Sequence, residues 1–176
     1  MEKVCRGLYI GRFQPYHLGH SQVIQVIAEK VDEIIIGIGS AQQSHQTNNP
    51  FTAGERVLMV SQAMEKLDAK THIIPIEDIH RNSLWTSHVK SLIPPFHIVY
   101  SNNPLVIELF SEVGIEVVGT PLFNREKYSG KRIRELMLSN KNWKNLVPQT
   151  VAKVIDDING VSRLKRIAKT DTLQET

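Results

Sequence analysis

Apolar positions along the chain follow two periods. Short β-branched runs at 4–10 (VCRGLYI), 33–38 (EIIIGI), 71–76 (THIIPI), 97–101 (HIVYS) and 115–119 (IEVVG) predict strands. The second and third are nearly continuous in isoleucine, as parallel strands covered on both faces should be. Between them the apolar residues take helical spacing. Segment 17–30 carries a stripe of Leu18, Val23, Ile24, Val26 and Ile27, and 52–67 opens with Thr52 and Glu55 in capping-box spacing. Segment 82–93 is stopped by Pro94 and Pro95, and 103–113 starts with Asn103 as cap and Pro104 at the first position, ending at Gly114. From 129 onward the pattern is helical throughout: 129–140, 148–158, a turn at Asn159 and Gly160, and a basic segment at 162–169, with 170–176 read as frayed.

Regular alternation of strand and helix predicts an α/β protein, a doubly wound parallel five-stranded sheet with helices on both faces and a helical C-terminal extension. The whole of 1–176 reads as one domain, with an α/β core over 1–124 and a helical part over 125–176, and no internal repeat or linker interrupts it. The 41% hydrophobic and 22% charged content is that of an ordinary globular domain. A net charge of +3 suits an anionic ligand but is too small to argue for nucleic acid. Cys5 is the single cysteine, which excludes an intrachain disulfide and a cysteine-based zinc site. The first residues lack the apolar core of a signal peptide, and no run approaches the roughly 20 residues that span a bilayer. The expectation is a cytoplasmic protein without membrane contact.

Chemistry concentrates in two stretches. The first, GRFQPYHLGH (11–20), leaves the first strand and enters the first helix, the place where ligands bind in such sheets. Gly11 lets the backbone pass close to a ligand, and His17 and His20 share one face of the first helical turn. That helix end offers free N–H groups and the equivalent of roughly half a positive charge, with Arg12 beside it. Zinc needs a third ligand, for which His45, His72, His80, His88 and His97 have no supporting spacing. A core role is disfavoured because the apolar stripe fills the buried face. Phosphate binding fits the position best. The second stretch, REKYSGKRIRELM (125–137), places Ser129 as cap of a helix whose first turns carry Lys131, Arg132 and Arg134. It fails as a P-loop, since Arg125 stands where the first glycine belongs and Arg132 where Ser or Thr would hold magnesium.

GRFQPYHLGH resembles the G-x-F-x-P-x-H-x-G-H signature of the nucleotidyltransferase superfamily, and YSGKRIR is similar to its second signature, I-S-x-T-x-x-R. The segments GIGSAQ, NPFTAGER, NSLW and NPLV resemble the archaeal-type nicotinamide-nucleotide adenylyltransferases in particular, and the likeness spans about residues 6–160. Lys131 departs from the pattern, standing where the superfamily has Thr, and Tyr128 replaces Ile.

The resemblance implies a Rossmann-like fold and the joining of ATP to nicotinamide mononucleotide, giving NAD and pyrophosphate. Such a reaction asks the protein to hold two anions and stabilise spreading negative charge, not to supply a strong base. It implies His17 and His20 at the α- and β-phosphates of ATP with Arg12 nearby, and Arg134 at the β- and γ-phosphates from the other side. Gly11, Phe13, Gln14, Gly39, Ser40, Arg125, Ser129, Lys131 and Arg132 join the ATP set. Trp85 would stack on the nicotinamide ring, with Asn82, Asp78 and Arg56 also on the mononucleotide; by its own helix pattern Trp85 is equally a core aromatic. Magnesium or another divalent cation would arrive on the ATP phosphates, and homo-oligomers are common in the family. The basic segment 163–169 is expected to pack on the domain or a sister subunit. Rival readings are another adenylyltransferase of the superfamily, such as phosphopantetheine adenylyltransferase, and a non-catalytic nucleotide-binding regulator. NSLW favours a flat acceptor ring over the first, and both histidines with Arg134 speak against the second. H-x-G-H also resembles the class I aminoacyl-tRNA synthetase signature, but the small net charge and the lack of room for a tRNA-reading domain count against it.

Overall fold

A computed structural model describes residues 4–121, 123, 124 and 126–174. Five strands, β1 (Arg6–Gly11), β2 (Glu33–Ile38), β3 (Lys70–Pro75), β4 (Ile98–Tyr100) and β5 (Glu116–Val118), form one parallel sheet in the order β3-β2-β1-β4-β5. Seven α-helices connect or follow them: α1 (Leu18–Ala28), α2 (Ala53–Met64), α3 (Asn82–Leu92), α4 (Pro104–Glu112), α5 (Gly130–Leu138), α6 (Gln149–Asp157) and α7 (Gly160–Gln174). A 3₁₀ turn at Lys144–Leu146 was not foreseen from the sequence.

The doubly wound expectation holds. Strand β2 is buried at every position, as its nearly continuous isoleucines predict. On one face, α1, α2 and the C-terminal helices cover Ile34, Ile36 and Ile38; on the other, α3 and α4 bring Val89 and Phe110 onto Leu8, Ile35 and Val99. Chain order reverses direction between β1 and β4, which opens a crevice at their carboxyl ends. Leu164 is wholly buried in the larger cluster, and Arg163 grips Glu55 with bonds of 2.6 and 2.9 Å, so the basic segment packs on its own domain.

Four elements differ from expectation. Strand β3, whose isoleucines predict cover on both faces, lies at a sheet edge and is half-buried or exposed along its whole length. Strands β4 and β5 are three residues each, because 101–103 already turns into the Asn103 cap and β5 is an edge with one partner. Helix α7 continues to Gln174 across the segment read as frayed, which holds no glycine or proline to stop it.

Arg56 was expected at the mononucleotide. It is instead fully buried on α2, and its guanidinium donates to carbonyl oxygens of Thr52, Arg12, Gly39, Ser40, Ala41 and Gln43 at 2.9–3.4 Å. Burial, with Arg12 adding repulsion, lowers its pKa to about 10, so it stays charged at neutral pH. These bonds tie the loops after β1 and β2 together where Phe13 and Ser40 adopt left-handed backbone, φ 49° and 50°. A charged donor meets six half-buried carbonyls at once; Thr52 and Ser40 keep a backbone N–H partner, and each carbonyl left bare costs about 1–3 kcal/mol. Arg56→Met should therefore lower unfolding free energy by at least about 3 kcal/mol in urea titration with an unchanged slope; a loss below about 1 kcal/mol would contradict this role.

Candidate active site

Helices α1 and α5 point their amino termini at the same crevice. His17 caps α1 and does so reciprocally with His20: His20 N–H donates to His17 Nδ1 at 3.3 Å, and His17 N–H donates to His20 Nδ1 at 3.2 Å. This is a capping box made from two imidazoles. The rings stack with centroids 3.6 Å apart and planes 18° from parallel, and Phe13 meets His20 edge-on at 4.8 Å. His17 is buried, only 8% exposed, and His20 half-buried, although the apolar stripe disfavours a core role for either, and both line the opening onto the crevice.

Because each Nδ1 is an acceptor, each neutral ring carries its proton on Nε2. Burial lowers the His17 pKa to about 4, and burial plus the His17 charge lowers that of His20 well below its ordinary value. Both rings are neutral N–H donors at pH 7. They can donate to an anion without adding the charge of an imidazolium.

Ser129 caps α5, accepting from Arg132 N–H at 3.2 Å. Two glycines let the helix ends converge. A methyl on Gly130 would lie 2.8 Å from the Gln14 carbonyl oxygen, and one on Gly19 would lie 2.9 Å from Tyr128 Cβ. Arg134 is buried and donates through Nη1 to the Gln14 carbonyl at 2.7 Å and through Nη2 to Asn48 Oδ1 at 3.3 Å.

These residues enclose a cavity of about 740 Å³ lined by Arg12, Phe13, Gln14, His17, His20, Ser129, Gly130, Lys131 and Arg134, with Asn102, Asn103 and Thr120 across from them. Among the described residues that line it there are three cationic side chains and no carboxylate. A second cavity of about 460 Å³ adjoins it, lined by Gly11, Gly39, Ser40, Asp78, His80, Asn82, Trp85 and Leu109. Ile10, Arg12, Ser101 and Asn103 line both. Both volumes fall in the range of about 300–1,000 Å³ usual for small-molecule sites.

The sequence-derived set divides on this geometry. Arg12, Phe13, His17, His20, Ser129, Lys131 and Arg134 come together at the larger cavity, and Asp78, Asn82 and Trp85 at the smaller; Gly11, Gly39 and Ser40, which the resemblance puts in the ATP set, line the smaller cavity instead. Trp85 serves two surfaces, since it also meets Phe110 edge-on at 5.6 Å. Arg132 lines neither cavity and lies 3.9 Å from Glu135 on the exposed side of α5. Arg125 lies outside the described residues. The Gln14 side chain is turned away from ligand duty, because its amide pairs with the Phe51 backbone at 2.9 and 3.0 Å.

Amide clamps of this kind were missed from the sequence. Gln42 pairs with the Asp78 backbone through two bonds of 3.0 Å, and Asn102 with Thr120 through bonds of 2.7 and 3.0 Å. They join the loops after neighbouring strands, β2 to β3 and β4 to β5, beyond the end of the sheet itself. Only their placement directly after strands hinted at this.

The cytidylyltransferase-like family matches residues 8–136. The chain is 56% identical to a nicotinamide-nucleotide adenylyltransferase of Halorubrum lacusprofundi over 94% of each chain. It is 58% identical to that of Methanothrix thermoacetophila over 94% of this chain and 98% of the relative. This chain belongs to the nicotinamide-nucleotide adenylyltransferase family. The family's member from Archaeoglobus fulgidus is 52% identical over 94% of this chain. A bifunctional NMN adenylyltransferase/ADP ribose pyrophosphatase from Francisella tularensis, solved with AMP and a manganese ion, shares the fold at TM-score 0.75 and 19% identity. The chain covers 54% of that longer protein. The family is one of enzymes that transfer nucleotidyl groups, and no helix among the described residues is long and apolar enough to cross a membrane.

Neutral burial of the histidines has a pH signature. The unfolded chain takes up protons near pH 6.5 that folded His17 takes up only near 4. Stability is thus complete above pH 6.5 and falls through this window as pH drops, by up to about 1.4 kcal/mol per unit for each histidine. Glu33, held down to about 2 by Lys70, His72 and Arg6, loses its contribution only below about pH 4.5. His17→Asn retains a capping oxygen and should show a visibly shallower stability loss between pH 6.5 and 5 in urea titrations; equal slopes would contradict the neutral assignment.

Proposed function

We propose that the chain transfers AMP from ATP to nicotinamide mononucleotide, with ATP in the larger cavity and the mononucleotide in the smaller. The observation that carries this reading is the meeting of the two cavities at Arg12: one is cationic and backed by two helix termini, the other lined by Trp85 and Asn82. The curated relatives named for this reaction support it at 52–58% identity.

In this reading a 5′-phosphate oxygen of the mononucleotide attacks the α-phosphorus of ATP. A new P–O bond forms, the bond from the α-phosphorus to the bridging β-oxygen breaks, and the electron pair leaves on pyrophosphate. The attacking oxygen is already anionic at pH 7, so no residue needs to remove a proton. His17 and His20 donate Nε2–H bonds to the phosphoryl oxygens, and both helix termini favour the charge that spreads as the bond breaks. Arg12, at the junction, offsets the repulsion between two approaching anions. Arg134 and Lys131 meet the departing phosphates, Lys131 supplying a point charge where the superfamily has a hydroxyl.

Magnesium carried on the ATP phosphates would supply charge neutralisation there. Among the described residues no cluster of His, Cys, Asp and Glu forms a metal cage, whereas hydroxyl and amide oxygens of Ser101, Asn102, Asn103 and Thr120 line the cavity. Each of these oxygens already accepts a bond, from the N–H of Asn103, Leu105 or Thr120 or from the Asn102 amide, so a magnesium ion would be held there through its water shell. At the acceptor, Trp85 offers one ring face and Asn82 an amide for the carboxamide.

Pyrophosphate release with ATP, magnesium and a panel of acceptors tests the assignment. NAD should form from nicotinamide mononucleotide, and turnover confined to another acceptor would overturn it. His20→Ala should reduce kcat by about 10²–10³ while leaving the mononucleotide KM nearly unchanged. Trp85→Ala should raise the mononucleotide KM roughly tenfold, the scale of one lost stacking contact; an unchanged KM would return Trp85 to packing alone.

A further inference from the structure

We infer that Gln14 is a positioning residue that fixes the Arg134 guanidinium on the leaving phosphates. This rests on the reading of Arg134 given above. The amide and the carbonyl of Gln14 do different work. Its side chain, 4% exposed, forms a two-bond fork with the Phe51 peptide: Nε2 donates to Phe51 O at 2.9 Å and Oε1 accepts from Phe51 N–H at 3.0 Å. Its backbone carbonyl accepts from Arg134 Nη1 at 2.7 Å.

Among the described residues the Arg134 guanidinium has one other hydrogen-bond partner, Asn48 Oδ1, and Asn48 stands in the same loop segment as Phe51. A single buried amide therefore fastens together both acceptors of Arg134. One is Gln14 itself, and the other is carried by the segment that Gln14 clasps. Guanidinium donors lie in a rigid fork, so holding two of them directs the remaining N–H groups. Gly130 belongs to the same device, because any side chain there would meet the very oxygen to which Arg134 is bound.

A fold-only role predicts that loss of the amide lowers stability while the folded fraction keeps its kinetics. Positioning predicts something else. Gln14→Met, assayed at 10 °C under conditions where the protein remains folded, should lower kcat about 10- to 100-fold, the scale of a misplaced charge-stabilising donor, with the mononucleotide KM changed less than twofold. In an Arg134→Lys background the same substitution should cost less than twofold further, since the group it positions is gone. Multiplicative losses in the double variant would overturn the inference.

Gln14→Glu supplies a second readout. A protonated carboxyl has one donor and one acceptor and can replace the amide fork; the carboxylate loses the donor and faces the Phe51 carbonyl. The kcat ratio of Gln14→Glu to wild type should be highest at pH 5.5 and fall at least tenfold by pH 8.5, and a flat ratio would contradict positioning. This variant carries the test where Gln14→Met does not fold. The same double cycle is also measured on binding of α,β-methylene ATP with magnesium. If wild type fails to make NAD, the reaction assignment fails, and coupling or its absence in the analogue cycle still decides whether Gln14 positions Arg134.

Discussion

The site depends on holding two helix amino termini close together. Each end carries the equivalent of roughly half a positive charge, so α1 and α5 repel where they converge. Arg12, Lys131 and Arg134 add to that repulsion. Specific contacts oppose it: the Arg134 bond to the Gln14 carbonyl, and the absence of side chains on Gly19 and Gly130 at the contact. The larger cluster beneath them, with Ile24, Ile133 and Met137 wholly or almost wholly buried, holds both helices to the same face of the sheet. On binding of a polyanion such as the ATP of the proposed reaction, the cost of this convergence would be recovered. A site preorganised in this way stabilises developing charge without reorganising at the moment of reaction.

Within this positive field the state of the two histidines becomes intelligible. An imidazolium pair stacked at 3.6 Å beside three cations would be self-repelling, and burial enforces neutrality instead. The reciprocal cap also spends each Nδ1 on the backbone, which leaves Nε2–H as the polar edge of both rings. The same residues thus start the helix and furnish the donors. Arginine and lysine supply charge at the periphery, and the histidines supply direction.

Much of this was legible in the sequence because it was written locally. Strand periodicity, the Thr52–Glu55 box, the Asn103–Pro104 start and the Ser129 cap all depend on residues within a turn of one another, and each appears in the structure. The His17 cap was not foreseen, since histidine is not among the usual capping residues and its role needs the second ring. Arg56 and Gln14 were read toward ligand because a polar residue near a strand end does not reveal which way it faces. Their partners are backbone groups of Gly39, Ser40 and Phe51, brought near only by the sheet. The Gln42 and Asn102 clamps were hidden for the same reason. Trp85 retains both of its readings in the structure, with one edge against Phe110 and a place in the smaller cavity.

In the proposed reaction His17 and His20 act as neutral Nε2–H donors held in that form by their mutual cap. Long-range ¹H–¹⁵N NMR of histidine-labelled protein reads the tautomer and charge of each ring directly. At pH 7 both rings should show a protonated Nε2 and an unprotonated Nδ1, with His17 remaining neutral until the pH approaches about 4. An Nδ1–H tautomer or an imidazolium signal from either ring at pH 7 would rule out this pair of neutral donors.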